Sequence, residues 1–141
     1  MIAIPGQRGG TQEATPCSRT GPLVPEALAA ADRLDQSGIR ADLICITSPD
    51  LLYRAVRARQ GQDPADHWIL DEVFPADRAT PLVTILDGHP HSLAFLATIN
   101  QVPTTALGVT RFGQSGSLDE VYRYHHLDTE SMVGAALDLV D

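Results

Sequence analysis

Between residues 21 and 140 the chain switches repeatedly between short, nearly continuous apolar runs and stretches in which apolar side chains return every three to four positions. The first such stretch opens at Pro25 and Glu26, a proline at the first helical position and a carboxylate in the first turn. Val24, Leu28, Ala31 and Leu34 then make one stripe, and Gly38 supplies a left-handed cap to end it. Residues 41–46 form an apolar run suited to a strand covered on both faces. Thr47, Ser48, Pro49 and Asp50 break that run and predict a second helix to about Arg59, burying Leu51, Leu52, Ala55 and Val56. A short helix over 67–74, stopped by Pro75, precedes the clearest strand, 81–86. Residues 87–92 lead into a helix carrying Leu93, Phe95, Leu96 and Ile99. A last strand at 105–109 is followed by the loop 110–116. Ser117 and Glu120 then make a capping box for a helix to about Tyr124. Asp128 or Thr129 caps a final helix bearing Met132, Val133, Ala136, Leu137 and Val140.

Strands separated by helices imply parallel pairing, because a parallel connection needs a crossover of a dozen or more residues. The pattern therefore predicts a three-layer α/β/α domain over residues 21–141. Residues 1–20, punctuated by Pro5, Gly6, Gly9, Gly10 and Pro16, carry no sustained period. They read as a loose lead or an edge strand, with residues 1–12 mobile or paired outside the core.

The composition narrows the partners. A length of 141 residues suits one domain, and 43% hydrophobic with 20% charged residues fits a globular protein. The formal charge of −8 opposes phosphate backbones and anionic membrane surfaces. The basic cluster Arg54, Arg57 and Arg59 is short and has no aromatic ladder beside it, so neither nucleic acid nor membrane is an expected partner. Cys45 lies inside an apolar run, and Cys17 is the other cysteine. Without a CxxC spacing, two reduced thiols in a cytoplasmic protein are expected. The start of the chain is too short for a signal h-region, and no apolar stretch reaches membrane-spanning length.

Candidate chemistry gathers at the carboxyl edge of such a sheet, where helix N-termini point. Four loops meet there: residues 20–22, 47–50, 87–92 and 110–117. Arg111, Gly113, Ser115, Gly116 and Ser117 could hold a phosphate or carboxylate through free amides and a guanidinium. The loop is neither GxGxxG nor a P-loop, and a structural turn before a capped helix is the competing reading. It also misses the G-x-S-x-G elbow by one residue. His89 and His91 put two imidazoles at the cleft edge. With Asp87 nearby, but no distant Cys or His, they are a weak zinc signal. His125 and His126 sit at a helix end, where the dipole favours a cation. A hydrolase triad of Ser92 or Ser115, His91 and Asp87 is disfavoured, because such members come from separate loops. No catalytic, cofactor-binding or metal residue is expected in this chain.

Three segments carry a resemblance: residues 24–34 (VPEALAAADRL), 82–96 (LVTILDGHPHSLAFL) and 107–125 (LGVTRFGQSGSLDEVYRYH). Together, over about residues 21–140, they resemble the C-terminal domain of transketolase-like enzymes, closest to the homodimeric pyruvate dehydrogenase E1 component and other 2-oxoacid dehydrogenases. The FGxSG loop followed by LDEVY is specific as a set. The resemblance implies a mostly parallel, five-stranded mixed sheet with helices on both faces and one antiparallel edge strand. It implies thiamine diphosphate and Mg²⁺ held by two other domains of the parent enzyme, and a role for this domain in homodimer assembly. The family's strand before Gly21 is replaced here by residues 14–20, where Pro16 cannot donate a ladder bond. Apolar surface including Trp68, Phe74 and Phe95 would be left partly uncovered without the partner domains. The alternative reading is a free-standing small-molecule or anion-binding module using the 110–117 loop.

Overall fold

A computed structural model describes residues 2–6 and 21–140, the first stretch as backbone alone. Four strands make one sheet: β1 (Ile2–Gly6), β2 (Arg40–Ile44), β3 (Leu82–Ile85) and β4 (Thr104–Leu107). Their order is β2-β1-β3-β4. The helices are α1 (Val24–Gln36), α2 (Pro49–Arg59), α3 (Trp68–Val73), α4 (Ala97–Asn100), α5 (Leu118–Tyr124) and α6 (Thr129–Val140). Short 3₁₀ segments cover Ala76–Arg78 and Pro90–Leu96.

The alternation along β3 builds the layers. Val83 and Ile85 face a core made with Leu23, Ala27, Ala30 and Leu34 around α1, Tyr122 of α5, Leu127, and Met132 and Ala136 of α6. Leu82 and Leu86 face the other way, onto Phe74, Leu93, Leu96 and the half-buried Ile44, Leu52 and Ile99. Every residue of β3 is buried, as expected for a strand covered on both sides. The chain is thus a three-layer α/β/α domain, with α1, α5 and α6 on one face and α2, α3 and α4 on the other.

Strand direction departs from expectation at one place. β3 and β4 pair in parallel, whereas β1 pairs antiparallel with both β2 and β3. So β2, β3 and β4 run the same way, and the antiparallel strand lies inside the sheet rather than at its edge. The lead expected to stay outside the core supplies that strand. Pro5 is tolerated there because β1 meets β3 only at Ile2 and Ala3; Pro5 lies beyond that ladder, opposite Ala41 of β2 alone. Among the described residues the sheet has four strands, not five. Residues 14–20, which stand in place of the family's strand before Gly21, lie outside the described residues.

Helix faces also shift. On α1 the buried stripe is Val24, Ala27, Ala30 and Leu34, while Leu28 is 36% exposed. Small residues let the helix approach the sheet closely, and they outrank the larger leucine on the neighbouring row. On α2, Ala55 and Val56 are buried but Leu51 is exposed. On α6, Met132 and Ala136 are buried, and Val140 is exposed. Trp68 is 57% exposed, yet Phe74 is buried against the Leu82 face, so only the first of these leaves a broad apolar surface open.

Residues 92–100 do not form one helix. A 3₁₀ segment runs to Leu96, and α4 ends at Asn100, capped by Gln101 with φ +54°. The expected thiol at position 45 is also corrected: Cys45 is disulfide-bonded. It stands one residue past β2 and is only half-buried, so the core does not seal its sulfur away. Cys17 lies outside the described residues. No described helix is long and apolar enough to cross a membrane.

Candidate functional site

With β2, β3 and β4 aligned, their carboxyl ends share one edge of the sheet. α1 returns its C-terminus to the start of β2, so its N-terminus lies at that edge. Glu26, in the first turn of α1, reaches the first residue of α6. The Thr129 amide donates to Glu26 Oε2 at 3.1 Å, and the Thr129 hydroxyl donates to the same oxygen at 2.5 Å. One carboxylate therefore caps a second helix from 103 residues away. Asp128 adds a local contribution, accepting from the Ser131 hydroxyl at 2.6 Å.

Two neighbouring loops at this edge are tied at their bases. The Val109 amide donates to Gly88 O at 2.7 Å, and the Leu86 amide donates to Leu107 O at 3.1 Å. Gly108 makes the approach possible: a Cβ there would lie 2.6 Å from Gly88 O and 2.8 Å from Pro90 Cδ. Only glycine fits such a close backbone approach. Its place at the end of an apolar strand is the signal for this role, a role the strand reading of 105–109 did not assign.

His89 and His91 are both exposed on this turn. His89 Nδ1 accepts from the His91 amide at 3.3 Å, which caps the 3₁₀ segment. The two Nδ1 atoms face each other, and the ring centroids are 4.5 Å apart. His91 is therefore oriented by His89, not by Asp87 or Ser92, and the triad drawn from this loop does not assemble.

The second loop behaves differently. Every residue from Thr110 to Glu120 is exposed, Phe112 fully so. Arg111, Gly113 and Ser115 stand in the open, with Gly113 at φ +92°. At its end the predicted capping box is present in full. The Ser117 amide donates to Glu120 Oε2 at 3.0 Å and the Ser117 hydroxyl at 2.8 Å, while the Glu120 amide donates to Ser117 Oγ at 3.4 Å. Gly116 lies against the same carboxylate. These bonds from the Ser117 amide and hydroxyl hold the Glu120 carboxyl below its ordinary pKa. The negative group at the start of α5 is thus the chain's own.

Beneath these loops lies Tyr122, 5% exposed, whose hydroxyl has no partner among the described residues. Burial pushes its phenol pKa up, and the charges of Asp87 and Glu26 push the same way. Nothing in the sequence singled this tyrosine out. At the far end of α5, His125 packs edge-on to Tyr124 and His126 takes φ +57° as the chain turns toward α6. Among the described residues, no three His, Cys, Asp or Glu side chains group as metal ligands.

A three-layer α/β/α domain with a mixed sheet, its loops gathered at the carboxyl edge, is the class this geometry defines. Residues 12–128 match the family model of the transketolase-like TK C-terminal domain, and the chain belongs to that family. No curated protein and no solved structure matches it.

Proposed function

We propose that the chain is the C-terminal structural and assembly domain of a thiamine-diphosphate-dependent enzyme, a 2-oxoacid dehydrogenase E1 component closer than a transketolase. The observation that carries the reading is the family match, which spans most of the chain in a single run. The pyruvate dehydrogenase E1 preference draws on the wording of residues 82–96 and 107–125. In this proposal the domain acts within a homodimer and holds no active site of its own. Thiamine diphosphate and Mg²⁺ belong to the other domains of the parent enzyme.

The residues at the carboxyl edge do not fit a diphosphate and its cation. The amide at the start of α5 already binds the Glu120 carboxylate, and a second anion there would meet like charge. Asp87 and Gly88 run on into His89 and Pro90, not into the Gly-Asp-Gly and Asn arrangement the family uses for metal and diphosphate. A cytoplasmic location rests on family likeness alone, because a disulfide at Cys45 speaks against a reducing compartment.

Isothermal titration of the purified 141-residue chain with thiamine diphosphate and Mg²⁺ tests the proposal. No saturable heat is expected. Saturable binding of micromolar strength would overturn it.

A further inference from the structure

We propose that two copies of this chain pair through the outer edge of β4, strand against strand, about a twofold axis at Thr105. The inference rests on the homodimer of the preceding section and assigns the surface that forms it. The sheet runs β2-β1-β3-β4, so β2 and β4 are its edges among the described residues. β4 meets β3 along one side: the Leu82 amide donates to Pro103 O at 2.9 Å and the Leu86 amide to Leu107 O at 3.1 Å. The N–H and C=O of one strand residue point the same way, and the direction alternates along the strand. Thr104 and Ala106 therefore turn their backbone groups outward. Pro103, which lacks a donor, turns inward and leaves that outer row intact.

The two edges differ in how they would receive another strand. β2 shows Arg40 and Asp42, both exposed, and charged side chains of this kind discourage pairing. β4 reads TTAL, with no charge, no internal proline, and Ala106 exposed. Such an edge is a template for a further strand, and its own symmetry selects a second copy as the occupant. Laid antiparallel on itself about Thr105, the strand sets Thr104 opposite Ala106 of the second copy. Each such pair exchanges both of its hydrogen bonds. The two Thr105 residues face each other at the axis without backbone bonds, where side chains come closest. Threonine opposite threonine is a favourable cross-strand pair.

The helix layer above the edge agrees with this pairing. α6 lies over β3 and β4 and beside α1. Arg33 of α1 and Glu130 of α6 approach to 3.8 Å, which marks the flank of α6 that faces α1. Ala135 and Leu139, one turn apart on the opposite flank, are half-buried, with Asp138 exposed beside them. The twofold brings this apolar row toward its copy above the paired strands. Pairing like edge with like is isologous and closes at two chains. The β2 edges left at either end carry Arg40 and Asp42, which guard them against a third.

The experiment is sedimentation equilibrium of the full chain from low to high micromolar concentration, with circular dichroism confirming that each variant is folded. Ala106→Pro removes an outward amide and spares the ladder with β3. Ala106→Lys keeps the amide and blunts the edge with charge. Trp68→Lys alters the exposed apolar surface of the opposite layer. The wild type should dimerise, and its Thr104 and Ala106 amides should gain protection from exchange as concentration rises. By symmetry Ala106→Pro removes a hydrogen bond twice, which should raise the dimer dissociation constant by ~10-fold or more. Ala106→Lys should weaken the dimer in the same direction, and Trp68→Lys should leave it unchanged. A chain that stays monomeric would overturn the proposal. A dimer that ignores both Ala106 variants, or that Trp68→Lys dissociates, would also overturn it, while keeping the assembly reading on another face. Binding of thiamine diphosphate bears on the domain assignment alone.

Discussion

The turn after β3 and the loop after β4 leave neighbouring parallel strands at the same edge of the sheet, and both carry residues of chemical interest. The first is stitched down by Gly88, Gly108 and Val109, and its two histidines converge. The second runs in solvent from Thr110 and is fixed only where Ser117 and Glu120 close the start of α5. Proximity to the carboxyl edge is common to both, so it does not by itself make a binding site. Backbone packing makes the β3 turn a rigid platform. In the β4 loop, a local carboxylate consumes the amide that would otherwise be free for an anion.

The strongest way to break this contrast is to disturb the stitched turn. Gly108→Ala places a methyl group 2.6 Å from Gly88 O, and overpacking of this kind costs about 2–3 kcal/mol. Urea denaturation should show that loss in the midpoint, whereas a change below ~0.5 kcal/mol, ordinary for a surface substitution, would mean that the two loops are not tightly apposed.

Ser117→Ala probes the loop that has only its end held. Losing this cap should cost about 1 kcal/mol. The same box makes the start of α5 sensitive to acid. The Glu120 carboxyl is held below its ordinary value of 4.5. Its contribution is therefore complete above that value and lost as pH falls through the lowered one. The protection factors of amides 117–120, which divide out the slowing of intrinsic exchange in acid, should fall in that window in the wild type. In Ser117→Ala protection should already be low at neutral pH; a wild type whose protection ignores acid would show that Glu120 does not hold the start of α5.

The smallest effect is expected at Phe112. Its side chain is fully exposed, so Phe112→Ala should leave the unfolding midpoint unchanged within ~0.5 kcal/mol. A loss above ~1 kcal/mol, beyond that surface range, would show that the β4 loop is packed down like its neighbour.

What the sequence made legible was mostly local. The capping box at Ser117 and Glu120 needs four consecutive residues, and the Gly38 cap needs one, with the Ile39 amide donating to Leu34 O at 2.9 Å. The layers followed from the alternation of two periods. Three features depended on distant parts of the chain. The direction of β1 is not encoded in five residues ending in Pro5 and Gly6. The α1 face turned by one row because Ala27 and Ala30 permit close approach to the sheet. Glu26 read as a first-turn charge for its own helix, and nothing local tells that it also caps α6. At the candidate site, the spacing of His89 and His91 was visible, but the convergence of their nitrogens was not. The loop 110–117 read either as an anion cradle or as a structural turn before a capped helix, and the Glu120 of its own capping box holds the Ser117 amide.

That occupancy supports the proposed assembly domain over a free-standing anion-binding module, and it is measured most directly at the Ser117 amide. Inorganic phosphate titrated into the ¹⁵N-labelled chain at neutral pH should leave the Ser117 and Glu120 amide resonances without a saturable shift. Glu120→Gln, which removes the competing charge, should gain a weak response at the same amides. A saturable phosphate shift of Ser117 in the wild type, undiminished by the presence of Glu120, would contradict the account and return the 110–117 loop to use as a ligand site.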